Sequence, residues 1–167
     1  MLTIVIVVKN PQWLDGFIKG NRNYLTEIPI IVVDSGGGEK LKEFCKYYIQ
    51  KDVSLWEARK IGYELAETEF VMNLDSDVII PDGYINEALL QLARCDKIGA
   101  VSIFYDKINR NRGVLEYGCS IWRTKLVKQL YDYKGDDLCE CLYMWDKLQR
   151  AGWLIETTCM RAKHLRC

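Results

Sequence analysis

Two apolar runs constrain the fold of this 167-residue chain more than anything else: IVIVV within residues 2–8 and IIVVD at residues 30–34. Both are rich in β-branched side chains and neither alternates with polar residues. Strands of that kind are buried on both faces, as in parallel sheets covered by helices on either side. Further strand-like runs fall at 70–74 and 98–104. Between them lie stretches with helical character at 11–19, 39–48, 55–66 and 81–94, the third carrying Trp56, Ile61 and Leu65 at roughly helical intervals. Strands alternating with helices predict an α/β domain, with a mainly parallel central sheet and helices on both faces.

The last third reads differently. A polar turn at 106–113, DKINRNRG, precedes the strand-like VLEYGCSIW, and a helix is expected over 124–131. After Gly135-Asp136-Asp137 a second helix is expected over 138–151, with Gly152 at its C-cap. A final strand over 153–159 leaves a basic tail, RAKHLRC, with the single histidine. The length suits one domain.

Charge narrows the function. Lys plus Arg number 23 and Asp plus Glu number 23, which gives no electrostatic case for nucleic acid or an anionic membrane as partner. The opening MLTIVIVV is closed by Lys9-Asn10-Pro11 and is too short for a membrane span, so it is read as a buried strand. No integral membrane segment and a cytoplasmic location, possible peripheral membrane contact included, are the expectation. Seven cysteines stand at 45, 95, 119, 139, 141, 159 and 167 without a CxxC pair or zinc-like spacing, and are read as free thiols, with a disulfide in an oxidising setting or a hyperthermophile as the alternative.

The segment EFVMNLDSDVIIPDGY at 69–84 carries the chemistry. Asp75 and Asp77 interrupt an apolar run at the expected end of a strand, where open parallel sheets bind ligands. Residues two apart on a strand share a face, so the two carboxylates can converge on one point. Burying both costs several kcal/mol unless something compensates. A hard divalent cation, Mg²⁺ or Mn²⁺, would do so and keep coordination positions for substrate phosphates. Asp34, after IPIIVV, is a second acid at a strand end.

These residues, in this order, resemble the family 2 glycosyltransferases with the GT-A (nucleotide-diphospho-sugar transferase) fold. The stations are the first strand running into Lys9-Asn10, IVVDSGGG, EARKIGYELAETEFVMNLDSD, ECLYMWDKLQRAG and AKHLR. The resemblance implies a single domain over 1–167, with a nucleotide-sugar-binding half at 1–104 and an acceptor or cap half at 105–167. It implies a metal-dependent, inverting transfer of a sugar from a UDP- or GDP-sugar to the hydroxyl of a glycan, lipid or protein acceptor. Donor contacts would come from Asn10, Asp34, Arg59 and Asp75. The Mn²⁺ or Mg²⁺ ligands would be Asp77, Asp75 and His164, with Arg161, Lys163 or Arg166 sharing the charge of the diphosphate. The family's Glu-Asp pair falls on Glu140-Cys141, so a cysteine stands where the usual base would be. Glu140, with Asp137 next, then becomes the expected catalytic base. Lys60 stands where the family commonly has Asn.

Other readings fit less well. LDSDVI resembles the nucleophile motif of haloacid-dehalogenase phosphatases, but that family carries it on the first strand, and here two strands precede it. Gly36-Gly37-Gly38 lacks both the GxxxxGK[ST] and GxGxxG spacings and is read as a turn. A non-catalytic nucleotide-sugar-binding module is the main alternative to an enzyme. Trp122, Trp145 and Trp153 could stack on sugar rings, although aromatic residues in such elements more often belong to the core.

Overall fold

The computed structural model describes residues 1–106, 115–135 and 139–166. Its strands are β1 (Leu2–Val8), β2 (Ile30–Asp34), β3 (Tyr47–Gln50), β4 (Phe70–Asp75), β5 (Val78–Ile79), β6 (Ile98–Tyr105), β7 (Cys119–Arg123) and β8 (Leu154–His164). Its helices are α1 (Leu14–Glu27), α2 (Leu55–Leu65), α3 (Tyr84–Arg94), α4 (Thr124–Leu130) and α5 (Glu140–Arg150). The strand order is β3-β2-β1-β4-β7-β6-β8-β5. The half β3-β2-β1-β4 is parallel throughout, and β6 also pairs parallel to β8. Antiparallel pairing joins β4 to β7, β7 to β6 and β5 to β8.

The alternation of side chains along β1 shows why the sheet is double-sided. Leu2, Ile4, Ile6 and Val8 pack with Leu14, Phe17 and Leu25 of α1 and with Tyr84, Ala88 and Leu92 of α3. Val5 and Val7 face Ala58 and Tyr63 of α2, Leu126 and Val127 of α4, and Met144 and Leu148 of α5. Each fully buried aliphatic side chain contributes about 1.5–3 kcal/mol, so neither face could be left bare. The α1 positions 14, 17, 21 and 25 make one helical stripe, which explains how the helix expected to end at 19 runs on to Glu27.

Two expectations need correction. Residues 39–48 do not form a helix: a single 3-10 turn, Glu39–Leu41, is followed by edge strand β3. Leu41 is buried, and hydrogen bonding of Tyr47–Gln50 to the open edge of β2 overrides local helical preference. The final strand does not stop at 159. It continues through the basic tail to His164, because β6 on one side and β5 on the other supply pairing partners. Six described cysteines are free thiols, Cys119 buried within the core.

Candidate active site at the carboxyl ends of the strands

Strands β1, β2 and β4 end side by side, which places Asp34 and Asp75 at one rim of the sheet. Asp34 is buried, and its carboxylate accepts from the amides of Gly36 and Gly38, both at 2.8 Å, and from the Tyr48 hydroxyl. The Asp34 side chain thus organises the glycine turn it precedes. Burial, followed by the adjacent carboxylate, raises the Tyr48 phenol well above its ordinary value, so it stays a donor. Asn10 is exposed, and its side chain caps the Pro11–Trp13 turn by accepting from the Gln12 amide at 3.0 Å.

Asp75 and Asp77 do not share a strand face. The strand β4 ends at Asp75, and a turn carries the chain through Ser76 and Asp77 into β5. Helix α1 pins that short strand: the Asn21 side-chain amide donates to Val78 O at 2.9 Å, and Asn21 Oδ1 accepts from the Ile80 amide at 2.9 Å. The far side of β5 is held by β8, with Val78 opposite His164, and the Leu165 amide donates to Asp77 O at 2.8 Å. The C-terminal strand therefore delivers His164 to Asp77 across about ninety residues of sequence.

The compensation of the two acids differs from the expected dication alone, because each is met by an arginine. Arg59, on the second turn of α2, is 3% exposed. One of its terminal nitrogens donates to Asp75 Oδ1 at 2.5 Å, and the other contacts Glu140 Oε2. The Tyr117 ring lies 5.2 Å below the guanidinium. Burial disfavours the charge on Arg59, but the Asp75 carboxylate and the surrounding tyrosine oxygens outweigh it and hold the group protonated. The Tyr131 hydroxyl, kept protonated by burial, donates to Glu140 Oε1 at 2.5 Å. Gly118 makes room for Asp75: a Cβ there would fall on its Oδ2, well inside van der Waals contact. The Gly118 carbonyl also accepts the Asp75 amide at 2.8 Å.

Asp77 is 2% exposed and meets Arg166 through Oδ2 as an ion contact that lacks the alignment of a hydrogen bond. His164 Nε2 lies 3.7 Å from the same oxygen. Oδ1 is buried and has no hydrogen-bond donor among the described residues. Burial first, then the charge of Asp75, raises the Asp77 pKa, while His164 and Arg166 oppose the shift. A buried, under-satisfied carboxylate oxygen beside an imidazole suits a divalent cation. Among the described residues no three His, Cys, Asp or Glu side chains gather where they could hold a metal ion.

Asn10, Asp34, Arg59, Asp75, Asp77, Glu140 and His164 all lie within the described structure, whereas Asp137 and Asp136 lie outside it. Two contacts come together closely: Arg59 with Asp75 and Glu140, and Asp77 with His164. Asn10 and Asp34 serve the turns that follow β1 and β2. Tyr131, Tyr48 and Gly118 escaped the sequence reading; tyrosines in apolar runs and a lone glycine carry no spacing signal. Trp122 is core, its indole N–H donating to Ser120 Oγ at 2.7 Å, and Trp145 and Trp153 pack half-buried on the same cluster.

Comparison with known proteins identifies the family and the fold. The family model described as glycosyl transferase family 2 matches residues 3–147. A comparison with curated protein sequences finds no match. Among solved structures, the mannosyltransferase PcManGT from Pyrobaculum calidifontis, in complex with GDP-Man and Mn²⁺, superposes with a TM-score of 0.79 at 14% identity. That match covers 98% of this chain and 56% of the other. S. aureus TarS 1–349 superposes with a TM-score of 0.73 at 17% identity over 98% of this chain and 60% of the other. Its complex with UDP-GlcNAc gives 0.73 at 16% identity, over 97% and 57%. The chain thus spans little more than half the length of these structures, and shares with them the GT-A fold. Together with the family match over most of its length, this establishes that the chain belongs to glycosyl transferase family 2.

Proposed function

We propose that the protein transfers a sugar from a nucleoside-diphosphate sugar to an acceptor hydroxyl with the help of a divalent cation. The observation that carries this reading is Asp77: a buried carboxylate in the turn after β4, with an oxygen that has no hydrogen-bond donor among the described residues and an imidazole beside it. The structural neighbours holding GDP-Man with Mn²⁺, or UDP-GlcNAc, support a nucleotide-sugar donor. Asp77 and His164 would hold Mn²⁺ or Mg²⁺, with Asp75 bound directly or through water. When bound, the cation would stabilise charge building on the leaving diphosphate.

The chain's own residues supply the rest. Arg59 fixes Asp75 and is itself fixed by Glu140 and Tyr131, so one side of the acid pair is oriented before any ligand arrives. Arg166, 59% exposed on its side chain, is placed to move from Asp77 to the donor diphosphate. Asn10 and the Asp34 turn form the side of the rim nearest the nucleoside. In an inverting reaction a carboxylate must take the acceptor proton from the face opposite the leaving group. Glu140 and Asp137 are the acids near the start of α5 for that step. Cys141 does not replace them, since burial pushes its thiol up to about 11 and leaves it neutral near pH 7.

Calorimetric titration of UDP, UDP-sugars and GDP-sugars with and without Mn²⁺, on the wild type and Asp77→Ala, tests the proposal. At least one nucleotide is expected to bind about tenfold or more tightly with the metal, and Asp77→Ala to abolish that gain. Affinity indifferent to both metal and substitution contradicts the reading. Release of free nucleoside diphosphate in the presence of acceptor separates an enzyme from a binding module.

A further inference from the structure

A cavity of about 400 Å³ is lined by Trp56, Glu57, Lys60, Asp132, Tyr133 and Lys134. Its lining comes from the two segments that also carry Arg59 and Tyr131. Trp56 precedes Arg59 by three residues on α2, Tyr133 follows Tyr131 by two, and Tyr143 follows Glu140 by three on α5. The half-buried Trp56 and Tyr133 rings meet edge to face with centroids 6.1 Å apart, and Tyr143 leans on Tyr133 at 5.3 Å. Gly135 packs its backbone against one edge of the indole, where a side chain would collide, so the ring is held in place. Rigid aromatic faces of this kind are what pyranose rings stack on.

The charges are not balanced in the same way. Glu57 is occupied in the α2 capping box, accepting from the Ser54 amide at 3.1 Å and its hydroxyl at 2.6 Å. Asp132 accepts from the Tyr143 hydroxyl at 2.7 Å and pairs with Lys147. Lys60 and Lys134, by contrast, are exposed and make no ion pair among the described residues. Asp132 is neutralised by Lys147, whereas Glu57 stays ionised in its cap, so the two lysines stand against one uncompensated carboxylate and the lining keeps a net positive charge over an aromatic wall.

We infer that this cavity is the acceptor subsite, and that it takes a saccharide bearing an anionic group, a carboxylate or a phosphate, set between Lys60 and Lys134. The inference rests on the glycosyltransferase reading above and adds to it the chemical class of the acceptor. The rings of Trp56 and Tyr133 would carry the apolar face of the sugar, while the lysines select its charge. Placed there, the acceptor would rest on the segments that also carry Arg59 and Tyr131.

Titration of ¹⁵N-labelled protein with glucose, glucuronate, glucose 6-phosphate and inorganic phosphate tests it, with the Trp56 indole N–H as reporter. Glucuronate or glucose 6-phosphate is expected to shift that signal and to bind about tenfold more tightly than glucose, roughly threefold for each exposed lysine. Which of the two binds better identifies the anionic group. Lys60→Ala with Lys134→Ala should erase the preference for charge, Trp56→Leu should weaken every sugar, and neither should change UDP affinity in Mn²⁺. Glucose binding as tightly as the charged sugars, inorganic phosphate matching glucose 6-phosphate, or a lysine double variant with preference intact would each overturn the inference. The UDP titration on the same sample keeps the two readings apart. A protein that binds UDP yet leaves Trp56 untouched by any sugar refutes the subsite alone, whereas one that binds no nucleotide refutes the parent reading.

Discussion

A buried guanidinium shared by two carboxylates, Glu140 buried and Asp75 partly open to solvent, is an expensive arrangement, and Arg59 shows how it is kept. Each partner has further support: Asp75 from the Gly118 backbone, Glu140 from the Tyr131 hydroxyl. Removing one member of such a cluster leaves uncompensated charge behind, which costs about 3–5 kcal/mol for a buried pair. Arg59→Ala is therefore expected to lower the unfolding free energy by about that amount in urea denaturation, because Glu140 keeps a single neutral donor. A loss below about 1 kcal/mol would mean that the cluster is hydrated and loosely held. The acids were legible in the sequence because Asp75-Ser76-Asp77 breaks an apolar run. Arg59 and Arg166 were named through the family resemblance as donor contacts, but their pairing with the two acids was not legible, since nothing local in the sequence brings them over the sheet edge.

Among the elements, α2 connects the parallel edge of the sheet to the site. Ser54 and Glu57 form a reciprocal capping box, so the helix starts at a fixed residue and Arg59 falls one turn in, facing Asp75. Ser54→Ala is expected to cost about 1 kcal/mol, read as a lower urea midpoint at unchanged slope. An unchanged midpoint would show that packing of Ala58 and Tyr63 sets the helix start without the cap. Strands β1, β2, β4 and β6 were readable from their β-branched runs, as was α2 from its apolar spacing. Two elements were less so. The segment 39–48 has helix-forming residues, yet forms edge strand β3 because β2 offers unpaired backbone. The tail 160–164 is polar and basic, and becomes strand only because β5 and β6 flank it; nothing local in RAKH specifies that pairing.

For the molecule as a whole, the topology explains why the acids, the histidine and the α5 carboxylate meet. Parallel strands β1, β2 and β4 bring their carboxyl ends to one rim, and the chain returns through antiparallel β7 to the parallel pair β6 and β8, whose end carries His164 to Asp77. The first half of this plan follows from alternating strand and helix signals. The second half depends on pairings between residues far apart in sequence, which a linear reading cannot supply. The described helices include none long and apolar enough to cross a membrane. The account rests on Asp77 as the point where a cation and a nucleotide diphosphate meet. Manganese anomalous scattering from crystals soaked with UDP and Mn²⁺ tests this most directly. The account predicts a single strong peak bridging the Asp77 carboxylate and the diphosphate, with Arg166 withdrawn from Oδ2. UDP bound with no manganese at Asp77, or manganese and nucleotide lodged elsewhere on the molecule, would contradict it.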